Sequence, residues 1–319
     1  RLKCRIFDTL PPPPALTSQE YTDAYDMVKD YGDLNSVSRT ADETQIGLFW
    51  GYDGARSIGV PPRLYNQCLG AISRQAKLSE AQNIVLLAAA NAAMADAGIL
   101  AWKEKYIFHV ARPVIALREA AEHGFGPASG SSPKTFNHLS LPISPATFDG
   151  VEKWLAKKPD RATMIHGDVT WAPFGAPQTN FKGTSRTPPF PAYPSGHATF
   201  GTACFTVTEA LLKTWMIADV DNLAFTFVSD ELNGSSRDAD GSVRTRHSRT
   251  LTLAQAVHEN AVSRLYLGVH WRMDAVEGTR LGQDIVKQMI DDKRGPAAVI
   301  NPSKFVATVA AVKPKSAKT

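Results

Sequence analysis

Apolar side chains recur every three to four positions along most of the chain, a pattern typical of helices that bury one face. Strict alternation of apolar and polar residues, the pattern of a half-buried strand, is scarce. The longest regular run begins at Ser79, a good N-terminal cap, and continues through Leu100 toward Lys105. Further helices are predicted over residues 18–31, 42–52, 62–78, 148–158, 196–215, 253–267 and 275–292. The pattern therefore predicts an all-α fold, a single helical bundle covering residues 1–319.

Two polar stretches interrupt the helical pattern. Residues 124–194 are rich in Pro, Gly, Ser and Thr and include Pro-Pro-Phe-Pro at 188–191, which predicts long irregular loops within the domain. Loops of this length in compact proteins are usually functional. The second stretch, 233–249, is predicted to be an exposed insertion, and about 1–15 and 306–319 are predicted to be loosely held tails.

Composition narrows the class of protein. The chain has 319 residues, of which 43% are hydrophobic, as expected of a soluble globular protein. Its net charge is +4, but the 35 basic and 31 acidic residues are mixed along the sequence, so no stripe for nucleic acid is predicted. The most apolar stretch, 84–100, contains Asn91 and Asp96 and favours a buried helix over a membrane span. Localisation stays open, because the chain begins with Arg1 rather than Met.

The cysteines give no sign of a metal site or a disulfide framework. Cys4, Cys68 and Cys204 are an odd number, lie far apart and include no C-x-x-C spacing. Candidate chemistry must therefore come from other residue types.

A first candidate segment runs from Lys105 to Pro113 and contains two cations. Lys105 and Arg112 are seven residues apart, close to two helical turns, so they are predicted to share one helix face. Pro113 disfavours helix at Arg112 and predicts that the helix ends or kinks there. The alternative for two such residues alone is an ordinary solvated face.

A second segment, 190–197, enters a predicted helix directly. Prolines make its approach rigid, Ser195 stands where an N-terminal cap belongs, and Gly196 allows a ligand close to the backbone. The free N–H groups and the dipole of a helix start favour an anion. His197 in the first turn is placed to exchange a proton with a bound group. An ordinary Ser cap beside an exposed His is the alternative.

A third segment, 263–274, contains Arg264 and His270. Six residues on an unbroken helix would place them on different faces, but Gly268 offers a break after which His270 can turn back. Asp274, four residues after His270, is expected either to fix the tautomer of the imidazole or to cap the next helix.

Together the three segments supply one Lys, two Arg, a hydroxyl, a bare backbone amide and two His. The cations neutralise a multiply charged oxyanion, the hydroxyl and amide bind its oxygens, one His bonds to its central atom, and the other moves protons. The residues thus predict a site for a tetrahedral oxyanion, with vanadate and phosphate both open.

The motifs Lys-x6-Arg-Pro at 105–113, Pro-Ser-Gly-His at 194–197 and Ser-Arg-x5-His at 263–270 resemble the signature of the superfamily of vanadium-dependent haloperoxidases and type 2 phosphatidic acid phosphatases. Within it, the chain is similar to the chloroperoxidase type of vanadium haloperoxidase over most of residues 40–290. The resemblance includes Trp102-Lys-Glu-Lys, Pro-Pro-Phe-Pro-Ala-Tyr-Pro-Ser-Gly-His at 188–197 and Glu-Asn-Ala-Val-Ser-Arg at 259–264.

This resemblance implies specific roles for the candidate residues. His270 is expected to bond to vanadium, and His197 to contact the opposite, apical oxygen. Residues expected to bind the other vanadate oxygens are Lys105, Arg112, Ser195, Gly196 and Arg264. Trp102 and Phe190 are expected to form the wall on the halide side, and Asp53 to be a partner of Arg264.

The resemblance also implies the reaction. Hydrogen peroxide activated at vanadate, with Lys105, His197 and His270 as catalytic residues, is expected to oxidise bromide, and chloride as well given Phe190. The hypohalous acid then halogenates a small organic acceptor. Phosphate is expected to occupy the site when vanadate is absent. Two alternatives remain open from the residues: a soluble acid phosphatase with a phosphohistidine at His270, and a non-catalytic oxyanion-binding protein.

Overall fold

The computed structural model describes residues 10–51, 60–118, 168, 170–175, 187–237 and 241–291, and these form a bundle of helices. The α-helices, numbered along the chain, are α1 (Gln19–Tyr31), α2 (Ala41–Phe49), α3 (Pro61–Gln75), α4 (Glu80–Phe108), α5 (Pro113–Arg118), α6 (Gly196–Thr214), α7 (Leu253–Tyr266) and α8 (Arg272–Asp291). Between α6 and α7 lie two short strands, β1 (Ala224–Val228) and β2 (Ser248–Thr252), and single 3-10 turns at Val220–Asn222 and Asp230–Leu232. The predicted helical bundle is confirmed, with a small sheet added.

Helix starts follow the capping residues in the sequence more closely than helix ends follow the periodicity. Ser79 caps α4, as predicted, and its backbone N–H is bonded in return by the side chain of Gln82. Ser18 caps α1 through the N–H of Tyr21. Helix α2 ends at Phe49, before the predicted end at 52, and α3 ends three residues before its predicted end at 78.

Helix α6 lies at the centre of the bundle and packs against α4, α7 and α8. Its contact with α8 is close because Gly278 and Gly282, one turn apart on α8, face it. A Cβ atom at Gly278 would lie 2.7 Å from the main-chain oxygen of Ser195, and one at Gly282 would lie 2.7 Å from Cβ of Thr202. Any larger side chain would push the two helices apart, so these glycines set the depth at which α8 packs on the start of α6.

The polar stretch 233–249 is not simply the exposed insertion predicted from its composition. Ser248 and Arg249 begin β2, which pairs antiparallel with β1. Arg244 is buried, and its guanidinium forms an ion pair with the carboxylate of Glu231 at 2.5 Å. Most of the described residues in this stretch are exposed, as predicted. The strand and the buried Arg were missed, because a five-residue strand is too short to show alternation and a paired, buried Arg looks in sequence like a solvated one.

Helix α4 buries one face in the core and exposes apolar residues on the other, including Ile84 and Ile99. The segment from Glu80 to Arg118 is long and apolar enough, by length and composition alone, to cross a membrane. Core helices of soluble proteins pass the same test, and 44% of the most apolar window here is buried within the protein. The predicted helix is present and buries one face, while just over half of its most apolar window is not buried by the described part of the protein.

Several predictions fall wholly or largely outside the described residues. These are the helix at 148–158, most of the irregular loops at 124–194, the C-terminal tail at 306–319 and most of the N-terminal tail. At the inner end of the N-terminal tail, the N–H of Leu10 donates to Glu104 at 3.4 Å, and the main-chain oxygen of Pro11 accepts from the hydroxyl of Tyr193 at 2.6 Å. The assignment of the whole chain to one domain remains a prediction.

Candidate active site

The three motif segments predicted from the sequence meet at one cavity of about 670 Å³. One part of its lining is basic and consists of Arg112, His197, Arg264 and His270, together with the backbone of Gly196. The other part is apolar except for Thr187 and consists of Val60, Pro61, Pro62, Trp102, Thr187, Pro188, Pro189, Phe190 and Phe200. The basic residues are all buried, whereas Val60 and Pro189 are exposed. The cavity therefore has a basic inner end and a largely apolar mouth.

The spacing of Lys105 and Arg112 predicted that they share one helix face. In the structure they reach this region from different backbone segments. Helix α4 ends at Phe108, because its C-cap His109 takes a left-handed conformation with φ of 51°. Arg112 follows in the turn before α5, which begins at Pro113. The helix thus ends four residues before Arg112, and this turn directs the guanidinium to the cavity.

The ammonium group of Lys105 is fully buried and is held by the segment that leads into α6. Its Nζ atom donates to the main-chain oxygens of Pro191, Ala192 and Pro194 at 3.0, 2.8 and 2.5 Å. Three bonds match the three protons of an ammonium group. Lys105 therefore fixes the shape of this segment and places a positive charge behind the cavity wall, while its direct contact with an oxyanion remains a prediction.

Ser195 is the N-cap of α6, as predicted, and its Oγ atom accepts from the N–H of Ala198 at 3.4 Å. The hydroxyl is buried, and it is the neighbouring Gly196 that lines the cavity. A Cβ atom at Gly196 would lie 3.0 Å from the ring of Trp102. Glycine here lets the first turn of α6, with its N–H groups and helix dipole, approach the aromatic wall and face the cavity.

The main-chain oxygen of Gly51 connects His197 and Arg264. Nε2 of His197 lies 2.9 Å from this oxygen, and Nη1 of Arg264 donates to it at 3.4 Å. A carbonyl oxygen only accepts, so Nε2 of His197 must bear a proton, which leaves Nδ1 of the neutral ring as an acceptor. Asp53, the predicted partner of Arg264, lies outside the described residues.

Two residues that the sequence did not single out hold the backbone of His197. Nδ2 of Asn260 donates to the main-chain oxygen of His197 at 2.7 Å, and the hydroxyl of Tyr65 donates to Oδ1 of Asn260 at 2.9 Å. Both side chains are completely buried. The sequence gives no signal for Asn260, because it follows His258 and Glu259 in α7 and looks there like one more polar residue of a helix.

The chain reverses between Arg264 and His270, as the glycine between them predicted. Helix α7 ends at Tyr266, and Gly268 has a φ of 69°, a conformation that glycine adopts at little cost. After this break, His270 lines the same cavity as Arg264.

Hydrogen bonds on both ring nitrogens fix the protonation of His270. Nη1 of Arg112 lies 3.0 Å from Nε2, and a guanidinium only donates, so Nε2 is the acceptor. Nδ1 therefore bears the proton and donates to Oδ2 of Asp274 at 2.8 Å. Burial, followed by the charges of Arg112 and Lys105, holds the pKa of His270 well below 6.5, so the ring is neutral. Its Nε2 lone pair is thus directed at the basic end of the cavity.

Asp274 carries out both of the roles left open by the sequence. Its Oδ2 atom accepts the proton of His270 and also the main-chain N–H of Trp271 at 2.9 Å. Trp271 is the residue before α8, so this second bond caps the start of that helix. Burial raises the pKa of Asp274, whereas the N–H of Trp271 and the charges of Lys105 and Arg112 favour its ionised form. The bonds to His270 and Trp271 are those expected of a carboxylate.

Trp271 is a third residue that the sequence did not identify. Its indole Nε1 donates to the main-chain oxygen of Ala111 at 2.8 Å, and its ring stacks on Tyr25 at 6.1 Å. Since Ala111 precedes Arg112 and Trp271 follows His270, this bond ties the two segments that bring those side chains together.

Trp102 and Phe190, predicted as the wall on the halide side, are in contact in the cavity lining. Their ring centroids are 4.8 Å apart, and Phe200 extends the cluster with a centroid 6.0 Å from that of Trp102. The guanidinium carbon of Arg112 lies 5.0 Å from the centre of Phe190. These rings therefore separate the basic end of the cavity from its mouth.

Comparison with known proteins agrees with this geometry. Residues 85–295 match the family model described as the VCPO second helical-bundle domain. The chain is 36% identical over 299 residues to the vanadium chloroperoxidase of Curvularia inaequalis, an alignment that covers 82% of this chain and 42% of the fungal protein.

A solved structure shares the fold. The crystal structure of a bacterial vanadium-dependent iodoperoxidase superposes with a TM-score of 0.50 at 23% sequence identity, covering 86% of this chain and 51% of the other. The chain thus spans about half the length of the relatives that it matches. Both the family model, which covers most of the chain, and the similarity to the fungal enzyme lead to one conclusion: the chain belongs to the vanadium chloroperoxidase family.

Proposed function

We propose that this protein is a vanadium-dependent haloperoxidase, which uses hydrogen peroxide to oxidise bromide and chloride to hypohalous acids that halogenate organic acceptors. The observation that carries the proposal is the state of His270. Its Nδ1 proton is committed to Asp274, and its Nε2 lone pair is directed at a cavity end that also holds Arg112, Arg264 and His197.

The donor set fits vanadate. One neutral imidazole supplies a nitrogen ligand, two buried guanidinium groups and the first turn of α6 supply donors for anionic oxygens, and Lys105 adds a charge behind them. Among the described residues there is no group of three His, Cys, Asp or Glu that would hold a metal cation directly. Such a site suits a metal that is bound as an oxyanion and coordinated by a single His.

Bound vanadate supplies a Lewis acid that activates peroxide without a change in its own oxidation state. The protein residues bind and move protons around it. Arg112, now 3.0 Å from Nε2 of His270, would transfer its hydrogen bond to a vanadate oxygen when that nitrogen becomes a ligand. Asp274 keeps the ring oriented and its nitrogen basic.

His197 is the proposed acid and base. Because Nε2 donates to Gly51, Nδ1 carries the lone pair in the neutral tautomer, and this atom would take a proton from hydrogen peroxide and later return it to the oxygen that leaves as water. Asn260 and Tyr65 hold its backbone in place for this task.

Steady-state assays of vanadate-loaded protein test the proposal. Initial rates are measured with peroxide and chloride, bromide or iodide in turn, and in parallel with a phosphate ester in the absence of vanadate. We expect bromide oxidation, with chloride also used, and negligible ester hydrolysis. A loaded protein that oxidises no halide would overturn the proposal, and ester hydrolysis through a phosphorylated His270 would favour an acid phosphatase instead.

A matched pair of histidine variants links the activity to the site. His197→Ala should lower the rate of bromide oxidation by about 100-fold or more, in the range of lost acid–base catalysis. The control is His109→Asn, which changes an exposed histidine that does not line the cavity to a residue that tolerates its left-handed backbone. Equal activity of both variants would contradict the role of His197.

A further inference from the structure

The size of the cavity exceeds what the proposed reactants need. Vanadate, one peroxide and one halide contain eight heavy atoms, and at roughly the 30 Å³ that a liquid water molecule occupies these fill about 240 Å³. The cavity has about 670 Å³. The remaining volume is large enough for a small organic molecule, for which pockets start at about 300 Å³.

The surplus volume has an apolar lining. It is formed by Val60, Pro61 and Pro62 at the start of α3, by Pro188 and Pro189 before α6, and by Phe200, with Thr187 as the polar exception. Pro61 and Pro62 occupy the first positions of α3, where other residues would present unpaired N–H groups. The start of α3 therefore adds hydrocarbon surface to the mouth instead of donors for an anion.

Aromatic rings continue this surface inward. Trp102 lies 4.8 Å from Phe190 and 6.0 Å from Phe200, centroid to centroid. A planar, apolar molecule stacks on such rings with a gain beyond simple burial. A ring that rests on them lies between the mouth and the basic end, next to the place where oxidised halide is expected to form.

We propose that the apolar part of this cavity binds the organic acceptor, a neutral aromatic molecule of about the size of indole, and that halogenation occurs while it is bound. This inference rests on the proposed haloperoxidase function and adds to it the class of the acceptor. Prolines make the walls rigid, so the site is preformed and the acceptor is bound at low entropic cost.

The chemistry balances with the reactants already named. Hydrogen peroxide takes two electrons from the halide and, with one proton, gives hypohalous acid and water. The acceptor ring then attacks the halogen, so that a carbon–halogen bond forms and the oxygen–halogen bond breaks. The displaced ring proton leaves with the hydroxide as a second water.

Competition between two acceptors tests the inference. Indole, which is flat and apolar, and taurine, a charged amine, are mixed and halogenated either by vanadate-loaded protein with bromide and peroxide or by reagent hypobromous acid at the same pH. If indole is bound, the ratio of brominated indole to brominated taurine should be roughly tenfold higher with the enzyme than with the reagent. Burial of an apolar group favours binding by at least about 1.4 kcal/mol, which corresponds to this factor. An enzymatic ratio equal to that of the reagent would overturn the inference.

Val60→Asp is the variant that probes the mouth. Val60 is the N-cap of α3 without a side-chain capping bond and is 66% exposed, so Asp, a preferred cap, should not impair folding. The charge should weaken indole binding and return the product ratio toward that of the reagent. Val37→Asp, at a residue that is 97% exposed and does not line the cavity, is the matched control and should leave the ratio unchanged. Equal ratios in both variants would contradict the inference.

Titration calorimetry with indole separates this inference from the proposed function. Binding is measured with and without vanadate, and no turnover is needed. A dissociation constant of about 1 mM or tighter, weakened by Val60→Asp but not by Val37→Asp, supports the acceptor site even if no halide is oxidised. Absence of binding refutes the acceptor site even if bromide oxidation proceeds.

Discussion

The main-chain oxygen of Asp274 accepts a hydrogen bond from the main-chain nitrogen of Ser195 at 2.8 Å. The carboxylate of the same residue holds the ring of His270, and Gly278, one turn later on α8, is in close contact with the main-chain oxygen of Ser195. The start of α8 therefore positions both the start of α6 and the imidazole. The two halves of the proposed oxyanion site are built as one unit.

Replacing Asp274 should weaken vanadate binding without abolishing the fold. Asp274→Asn keeps an acceptor for the Nδ1 proton of His270 but removes the charge that makes Nε2 basic, and such changes cost about 10- to 100-fold in metal affinity. Calorimetric titration with vanadate measures the change. Asp284→Asn, at an exposed position on the same helix, is the control, and a similar loss in both variants would show that the effect is not specific to His270.

The indole N–H of Trp271 should matter for vanadate binding more than for stability. Trp271→Phe removes its bond to Ala111 while keeping an aromatic ring against Tyr25, and frees the segment before Arg112 to shift. Trp171→Phe is the control, since Trp171 is equally buried and its N–H donates to the main-chain oxygen of Lys29.

Both tryptophan variants should lose about 1–3 kcal/mol of unfolding free energy from the lost bond and the smaller ring. Denaturant titration measures this loss. Vanadate affinity should fall only in Trp271→Phe, and unchanged affinity there would show that the bond to Ala111 has no role in positioning Arg112.

Adding one methyl group to α8 should disturb the start of α6. Gly278→Ala places a Cβ atom 2.7 Å from the main-chain oxygen of Ser195, and overpacking of this kind costs about 1–3 kcal/mol. Gly70→Ala is the control, because a Cβ atom there meets only Nη1 of Arg74 at 3.6 Å. Within helix α3 that change should stabilise by about 0.5–1 kcal/mol. Chemical denaturation should give opposite signs for the two variants, and a stabilised Gly278→Ala would refute the close packing.

His258 should make stability depend on pH in the acid range. Desolvation lowers its pKa to about 4 in the folded protein, whereas in the unfolded chain it is about 6.5. Between these values the unfolded chain binds a proton that the folded protein does not. The contribution of neutral His258 to the free energy of unfolding is therefore fully present above pH 6.5 and is lost as the pH falls toward 4. His258→Gln, neutral at every pH, should flatten this part of the profile of unfolding free energy, and an unchanged profile would contradict the assignment.

Helix positions were predictable from the sequence wherever a cap and an apolar run agree, as at Ser79. The errors arose where tertiary contacts decide the boundary. Helix α8 begins at Arg272, three residues before the predicted start, because the carboxylate of Asp274 accepts the N–H of Trp271 and completes an earlier turn. Pro113 predicted an end or kink at Arg112, but helix α4 already ends at Phe108, because its C-cap His109 takes a left-handed conformation that apolar periodicity does not reveal.

The arginines and histidines of the candidate site were predictable because their motifs specify side chains. Arg112, His197, Arg264 and His270 do line one cavity. The residues that support them were not predictable, because Asn260 and Trp271 bond to main-chain oxygens, which every residue possesses. A donor whose partner is the backbone of a distant segment leaves no pattern in the sequence.

Vanadate titration of the wild-type protein and of His270→Ala tests the central claim most directly, since that claim is that Nε2 of His270 is the ligand through which the site holds vanadate. The wild-type protein should bind one vanadate per chain. His270→Ala, which retains Arg112, Arg264 and the start of α6, should bind it about 100-fold more weakly or worse, as expected for loss of the ligand itself and not merely of a residue that supports it. Equal affinity of the two proteins for vanadate would contradict the account.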